Sequence, residues 1–209
     1  MEKYGSSCNK SLISDHINRF WYLDMIIKGN DPFTQASFTM KSRIMRAIWW
    51  GVWVILFRSS PRPFHLWRRL LLRMFGAKIG LNVNIYPTVK IWAPWALTVG
   101  DYVGVAEDVK LYNMAELIIG DRCVISQGAH LCTGSHDIDS SNFQLIAKPI
   151  NIENYVWICT EAFVGPGVTI AEGCVLGARA VLVKTIDQPW TVWAGNPAAK
   201  KRLREKVFK

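Results

Sequence analysis

Between Ile79 and Leu182 an aliphatic residue returns every six positions: Ile79, Ile85 and Ile91, then Val99, Val105 and Leu111, then Ile119, Ile125 and Leu131. After an interruption the series resumes with Ile152, Ile158, Val164, Ile170, Leu176 and Leu182. The residue four places after each is Val, Ala, Cys or Ser, except at Trp95 and Ile186. A period of six matches neither the 3.6-residue turn of an α-helix nor the two-residue alternation of a half-buried strand. It matches a β-helix, in which each hexapeptide supplies one short flat side and a corner. The aliphatic residue then points inward, and the residue four on must be small because it fills a crowded interior corner. Stacked coils pair their backbones about 4.8 Å apart, as adjacent strands do.

The slips in this period define the coil. Val99 follows Ile91 by eight residues and Ile119 follows Leu111 by eight, each time after a third hexapeptide. A coil therefore has three sides, and both slips fall at one corner. The 21-residue step from Leu131 to Ile152 falls at that same corner, so a loop over 137–151 is expected to leave the prism there. Loops of that length within a regular array are usually functional. The expected fold is mainly β: a three-sided prism of about five coils over 79–187, with a helical segment before it. A short basic helix or tail is expected over 188–209. Residues 1–40 show no clear periodicity and read as a partly disordered extension.

The formal net charge of +9 is unevenly placed. Residues 41–78 hold nine basic residues and no acidic one, whereas 79–199 hold six basic and eleven acidic. The last ten residues hold six basic and one acidic. A nucleic-acid reader usually carries its positive charge over the folded surface. An acidic body with two basic ends argues against nucleic acid and for two separate anionic contacts. Five Cys, without paired spacing and without a secretory-signal pattern ahead of them, indicate a reduced, cytosolic protein. Cys123 and Cys174 take the small inward position, where a thiol packs as a small hydrophobe. Cys159 takes the second position of its hexapeptide.

Residues 44–57, "IMRAIWWGVWVILF", are apolar nearly all round. As a helix they would be about 21 Å long, short of the ~30 Å hydrocarbon core of a bilayer. In the following "HLWRRLLLRMF" stretch, Phe64, Trp67, Leu70, Leu71, Met74 and Phe75 share one helical face opposite Arg69 and Arg73. Two readings stay open for 41–78. The helices lie at a membrane interface, or they cap the first coil, whose backbone would otherwise be unpaired.

The repeat, together with "TGSHD" (133–137), "NYVWICTEAFVGPGVTI" (154–170) and "VWAGNPAAK" (192–200), resembles the left-handed β-helix (hexapeptide-repeat) acyltransferases. With "LLLRMFGAKIG" it is most similar to the acetyltransferases of colanic acid and related exopolysaccharide biosynthesis. The resemblance implies a left-handed coil, a homotrimer, acetyl-CoA as acyl donor without a metal, and a saccharide hydroxyl as acceptor, free or lipid-linked. Transfer from a thioester to a hydroxyl needs a base for the hydroxyl proton and a donor for the developing oxyanion. The resemblance assigns the base to His136, a residue type that titrates near neutrality. The register argument independently sets His136 at the mouth of the loop.

The same resemblance puts coenzyme contacts at Trp157, at Thr160 through its backbone N–H, at Ala178 and at Lys184. Lys200 and Arg202 would lie against the coenzyme, one of the basic residues after Ala199 meeting the 3′-phosphate, and Asn113 would meet the acceptor. His130 is a corner residue expected to pack. Zinc sites of this scaffold draw three histidines together, and no His follows His136. The implied function is O-acetylation of a saccharide in surface polysaccharide synthesis, in the cytoplasm or at the inner face of the plasma membrane. A serine or xenobiotic (chloramphenicol or streptogramin) acetyltransferase, or a non-catalytic membrane-associated scaffold, would be compatible with the same repeat.

Overall fold

The computed structural model describes residues 26–205, so the first 25 residues of the expected extension lie outside it. The first coil is β1 (Lys78–Ile79), β2 (Asn84–Ile85) and β3 (Lys90–Ile91), and the second is β4 (Leu97–Val99), β5 (Gly104–Val105) and β6 (Lys110–Tyr112). The third is β7 (Leu117–Ile119), β8 (Val124–Ile125) and β9 (His130–Cys132). A hairpin of β10 (Gly134–His136) and β11 (Leu145–Ala147) then leaves the prism. The fourth coil is β12 (Ile150–Ile152), β13 (Trp157–Ile158) and β14 (Phe163–Val164), and the fifth is β15 (Thr169–Ile170), β16 (Val175–Leu176) and β17 (Val181–Leu182). Ile186 bridges to Ile170, and β18 (Thr191–Ala194) pairs with β16, so the chain begins a sixth turn. The three sides are the parallel ladders β1-β4-β7-β12-β15, β2-β5-β8-β13-β16-β18 and β3-β6-β9-β14-β17.

Each aliphatic residue of the six-residue series is buried in this core. The rule for the small residue holds at two corners but fails at the third in the second and third coils, where Ala115 is half-buried and Ser135 exposed, and holds there again at Val168 of the fourth. There the fully buried residues are Ala93, Asn113 and Thr133, two places after the aliphatic one. The next side then opens with a second inward residue, Leu97, Leu117 or Ile150. Two extra residues thus widen this corner. The excursion runs over 133–149 rather than 137–151, because β10 already belongs to the hairpin and Ile150 has already returned to the core. Spacing gives the length of an insertion but not the bond at which it departs.

The helical segment is a cap. It comprises α1 (Met40–Val52), a π-helical turn at Trp53–Phe57, and α2 (His65–Met74). The first coil has no coil before it, so its outer carbonyls need other donors. Trp49 Nε1 donates to Ile91 O (2.7 Å) and Trp53 Nε1 to Val89 O (2.8 Å). Arg68 Nε donates to Ile85 O (2.6 Å) and Arg73 Nε to Ile79 O (3.1 Å). Trp49, Trp53, Phe57, Leu71 and Leu72 bury against the coil.

The inward face of α2 is therefore Arg68, Leu71 and Leu72, which shares only Leu71 with the stripe read from the sequence, while Phe75 of that stripe packs against the core from the helix end. Phe64, Trp67, Leu70 and Met74 of that stripe stay exposed. No helix among the described residues is long and apolar enough to cross a membrane. At the other end, the expected basic helix or tail is instead β19 (Ala199–Leu203), antiparallel to β18.

Candidate active site

The hairpin that leaves the wide corner carries His136, paired across to Leu145. It can leave tightly because Gly134 has no side chain: a Cβ there would stand 2.8 Å from Met114 Sδ. The half-buried His136 ring lies flat on Phe143, with centroids 4.3 Å apart and planes at 12°. His136 Nδ1 is 2.9 Å from Phe143 O. A carbonyl only accepts, so Nδ1 carries the proton and Nε2 keeps its lone pair. Phe143 takes a left-handed φ of 46°, which aims that carbonyl back across the turn.

The turn is held from outside by residues 26–38. Gly29 N donates to Gln144 Oε1 (2.7 Å), Gln144 Nε2 to Ile27 O (3.3 Å) and Asn142 Nδ2 to Asn30 O (3.2 Å). Phe33 stacks on Phe143 at 5.9 Å. Phe143 and Gln144 escaped sequence reasoning because neither carries a chemical motif. One acts through its backbone, and the other bonds to residues more than 100 positions away.

The residues expected against the coenzyme lie elsewhere on the prism. Trp157 projects outward from the second side, 45 % exposed, with its indole N–H on Ser126 Oγ (2.9 Å). Thr160 and Ala178 are exposed at the corner between the second and third sides. Among the described residues no backbone acceptor meets either of their amide N–H groups. Lys184 is exposed just after β17. Lys200 and Arg202 are exposed on β19, with Lys200 Nζ donating to Gln188 Oε1 and an Arg202 guanidinium N–H to Leu203 O.

Asn113 has a different task from the one expected. It is buried in the wide corner, with Nδ2 donating to Ala93 O (2.7 Å) and Oδ1 accepting from Ala93 N (3.2 Å). Both ends of its amide brace the coil, which removes it from any acceptor pocket. His130 packs edge-on between Tyr112 and Phe163, and burial followed by the Lys110 charge pushes its pKa down. Burial pushes the Cys123 thiol up to about 12 and raises that of Cys159, so neither is poised as a nucleophile. Among the described residues, no three His, Cys, Asp or Glu side chains group as metal ligands.

Comparison with known proteins gives this geometry its context. No family model matches the sequence. WcaF of Escherichia coli K12, named as a colanic acid biosynthesis acetyltransferase, is 49% identical over 160 residues, covering 77% of this chain and 86% of that protein. The galactoside O-acetyltransferase of the same organism is 28% identical over 142 residues, covering 66% of this chain and 69% of its own length. Among solved structures, a galactoside acetyltransferase in complex with coenzyme A superposes with a TM-score of 0.75 at 23% identity, over 83% of this chain and 90% of that one. The hexapeptide-repeat acetyltransferase VCA0836 of Vibrio cholerae, complexed with acetyl coenzyme A, gives 0.75 at 23% identity, over 88% and 99%. The solved structures establish the fold, and WcaF, alike across most of both chains, establishes the relationship: this chain belongs to the hexapeptide-repeat acetyltransferases, in the group of the colanic acid biosynthesis acetyltransferases.

Proposed function

We propose that the protein transfers acetyl from acetyl-CoA to a saccharide hydroxyl in surface polysaccharide biosynthesis, as a cytoplasmic homotrimer with His136 as general base. The observation that carries this reading is the lock on Nδ1 by the Phe143 carbonyl, which leaves Nε2 as a fixed base on an exposed hairpin. Bound acetyl-CoA supplies an acetyl thioester. His136 Nε2 takes the acceptor hydroxyl proton as that oxygen bonds to the thioester carbon, and returns it to the departing sulfur. The Thr160 amide, which meets no backbone acceptor among the described residues, donates to the oxygen on which negative charge gathers. Trp157 supplies an apolar wall for the pantetheine arm beside Ala178. Lys184, Lys200 and Arg202 are exposed cations suited to coenzyme phosphates.

The homotrimer is what the family resemblance implies, and the topology is compatible with it. His136 leaves at the corner between the third and first sides, whereas Thr160 and Ala178 lie at the corner between the second and third. A neighbouring prism brings the two corners together across one groove.

The test is thiol release from acetyl-CoA across a panel of saccharides, sugar nucleotides, serine and chloramphenicol. The reading expects saccharide-dependent release, lowered by roughly 10² to 10⁴ in His136→Ala, the usual worth of a positioned base. Acetyl-CoA affinity should stay unchanged. Near-normal turnover in the variant, or release driven by serine or chloramphenicol in place of saccharides, would contradict it.

A further inference from the structure

The amide N–H two places after each buried aliphatic residue meets a different fate at different corners of the prism. At the corner between the first and second sides, a side chain from a neighbouring coil answers it. Leu81 N donates to Asp101 Oδ1 and Asp101 N to Asp121 Oδ1, both at 2.7 Å, and Asp121 N to Asn154 Oδ1 (2.8 Å). Glu172 N likewise donates to Glu153 Oε2 (2.9 Å). At the corner between the second and third sides the equivalent amides belong to Glu107, Gln127, Thr160 and Ala178. Among the described residues none of these meets an acceptor. One corner thus closes on itself, whereas the other presents a row of open donors, one per coil and ~4.8 Å apart.

In that row Gln127 is the residue whose side chain turns toward Thr160. Its Oε1 accepts from Thr160 Oγ1 (3.3 Å), across 33 positions of sequence. The oxygen of this amide is engaged, so its two N–H groups remain as donors, and no acceptor among the described residues meets them. Gln127 is itself exposed, at the same corner as the Thr160 amide. The neighbours on either flank are occupied differently. One coil toward the cap, the Glu107 carboxylate pairs with Arg62 at 2.7 Å. On the other flank Ala178 has no side-chain donor, and the Arg179 guanidinium is engaged by Glu161, Nε to Oε2 at 2.5 Å.

We infer that Gln127 is a second oxyanion donor, its Nε2 holding the thioester oxygen of acetyl-CoA together with the Thr160 N–H. The inference rests on the proposed acetyl transfer at Thr160 and His136, and adds a catalytic residue to it. As the acceptor oxygen bonds to the thioester carbon, its proton goes to His136 Nε2 and the carbonyl π pair moves onto the thioester oxygen. When the C–S bond breaks, that pair re-forms the carbonyl of the ester and the proton passes to the departing sulfur. Gln127 gives up no proton. It donates a hydrogen bond that strengthens while the oxygen is charged. Donors on coils ~4.8 Å apart can both lie ~2.9 Å from one oxygen between them. The Thr160 hydroxyl fixes the amide beforehand, so little reorganisation is needed as charge develops.

Gln127→Glu and Gln127→Ala, made in the full-length protein, separate this role from a packing role. Glu keeps an acceptor for the Thr160 hydroxyl but replaces the N–H donors with a negatively charged oxygen. Ala removes the bond and the donors together. Thiol release from acetyl-CoA is measured with the saccharide that the panel selects, and by water alone, which passes through the same oxyanion. In both assays kcat should fall roughly 10² to 10³-fold in Gln127→Glu, the usual worth of one oxyanion donor, and no further in Gln127→Ala. KM for acetyl-CoA should stay near wild type in Gln127→Ala, because the bond belongs to the transition state. A packing role gives the reverse order, with Gln127→Glu active and Gln127→Ala impaired. That order, a raised KM at unchanged kcat, or losses that merely follow a fall in Tm would overturn the inference. The His136→Ala variant keeps the two claims apart. Lost turnover in His136→Ala with wild-type kcat in Gln127→Glu would remove the second donor and leave the base standing. Near-normal turnover in His136→Ala with lost kcat in Gln127→Glu would remove the base and leave the donor.

Discussion

An imidazole acts as a base only through the nitrogen that lacks a proton, so whatever holds the other nitrogen decides whether His136 can work. Here it is the Phe143 carbonyl, presented by a left-handed backbone that costs a bulky residue about 1–3 kcal/mol. The turn keeps that conformation because Gln144, Asn142 and Phe33 tie it to the segment before α1. Phe143→Ala retains the carbonyl and deletes the ring on which His136 rests, a stacking contact of ~0.5–1.5 kcal/mol. The expected result is a kcat lowered roughly two- to tenfold, an unchanged KM for acetyl-CoA, and recovery in Phe143→Tyr. A kcat equal to wild type in Phe143→Ala would show that the ring does not position the base. His136 was legible in the sequence because counting hexapeptides places it where the register breaks. Its support was not, because any residue owns a carbonyl, and Gln144 meets Gly29 across 115 positions. Asn113 misled for the converse reason: an amide reads as a ligand contact until its partner, the Ala93 backbone, is seen.

At the scale of elements, the coils were legible because each has to repeat the same inward residue at the same step, which one sequence displays many times over. Elements that occur once leave no such statistics. The second cap helix looked amphipathic in one direction and packs in another, because Arg68 turns inward to bond Ile85 O, Ser60 Oγ and Pro61 O. Arg68 thereby becomes the largest fully buried side chain among the described residues. Hydrogen bonds from a charged donor contribute about 1.5–3 kcal/mol each. Arg68→Met should thus cost ~3 kcal/mol or more, a fall in Tm of roughly 6–12 °C for a chain of this size. Calorimetry showing an unchanged Tm would contradict the cap. A chain beginning at Ala77 would expose the same carbonyls as three open strand edges, and should aggregate rather than remain monodisperse in light scattering. β19 was misread for a related reason. "AKKRL" has no strand pattern of its own and becomes a strand because β18 offers it an edge.

At the scale of the whole molecule, the proposed function divides its site between prisms. His136, the proposed base, and Thr160 and Ala178, proposed to face the coenzyme, stand at different edges of a three-sided body. On the second side Val124, Trp157 and Val175 form an in-register apolar column, and Val124 and Trp157 remain 47 % and 45 % exposed. Such a column is what a second prism would cover. The most direct test mixes two variants that are each inactive: His136→Ala, which lacks the base, and Ala178→Trp, which fills the coenzyme corner. If each site takes its base from one chain and its coenzyme corner from the next, chains refolded together at equal ratio restore about a quarter of the sites. Thiol release from acetyl-CoA should then rise to about that fraction of wild type. Trimers that form from the mixture but release no more thiol than the two parents would contradict a site shared between chains.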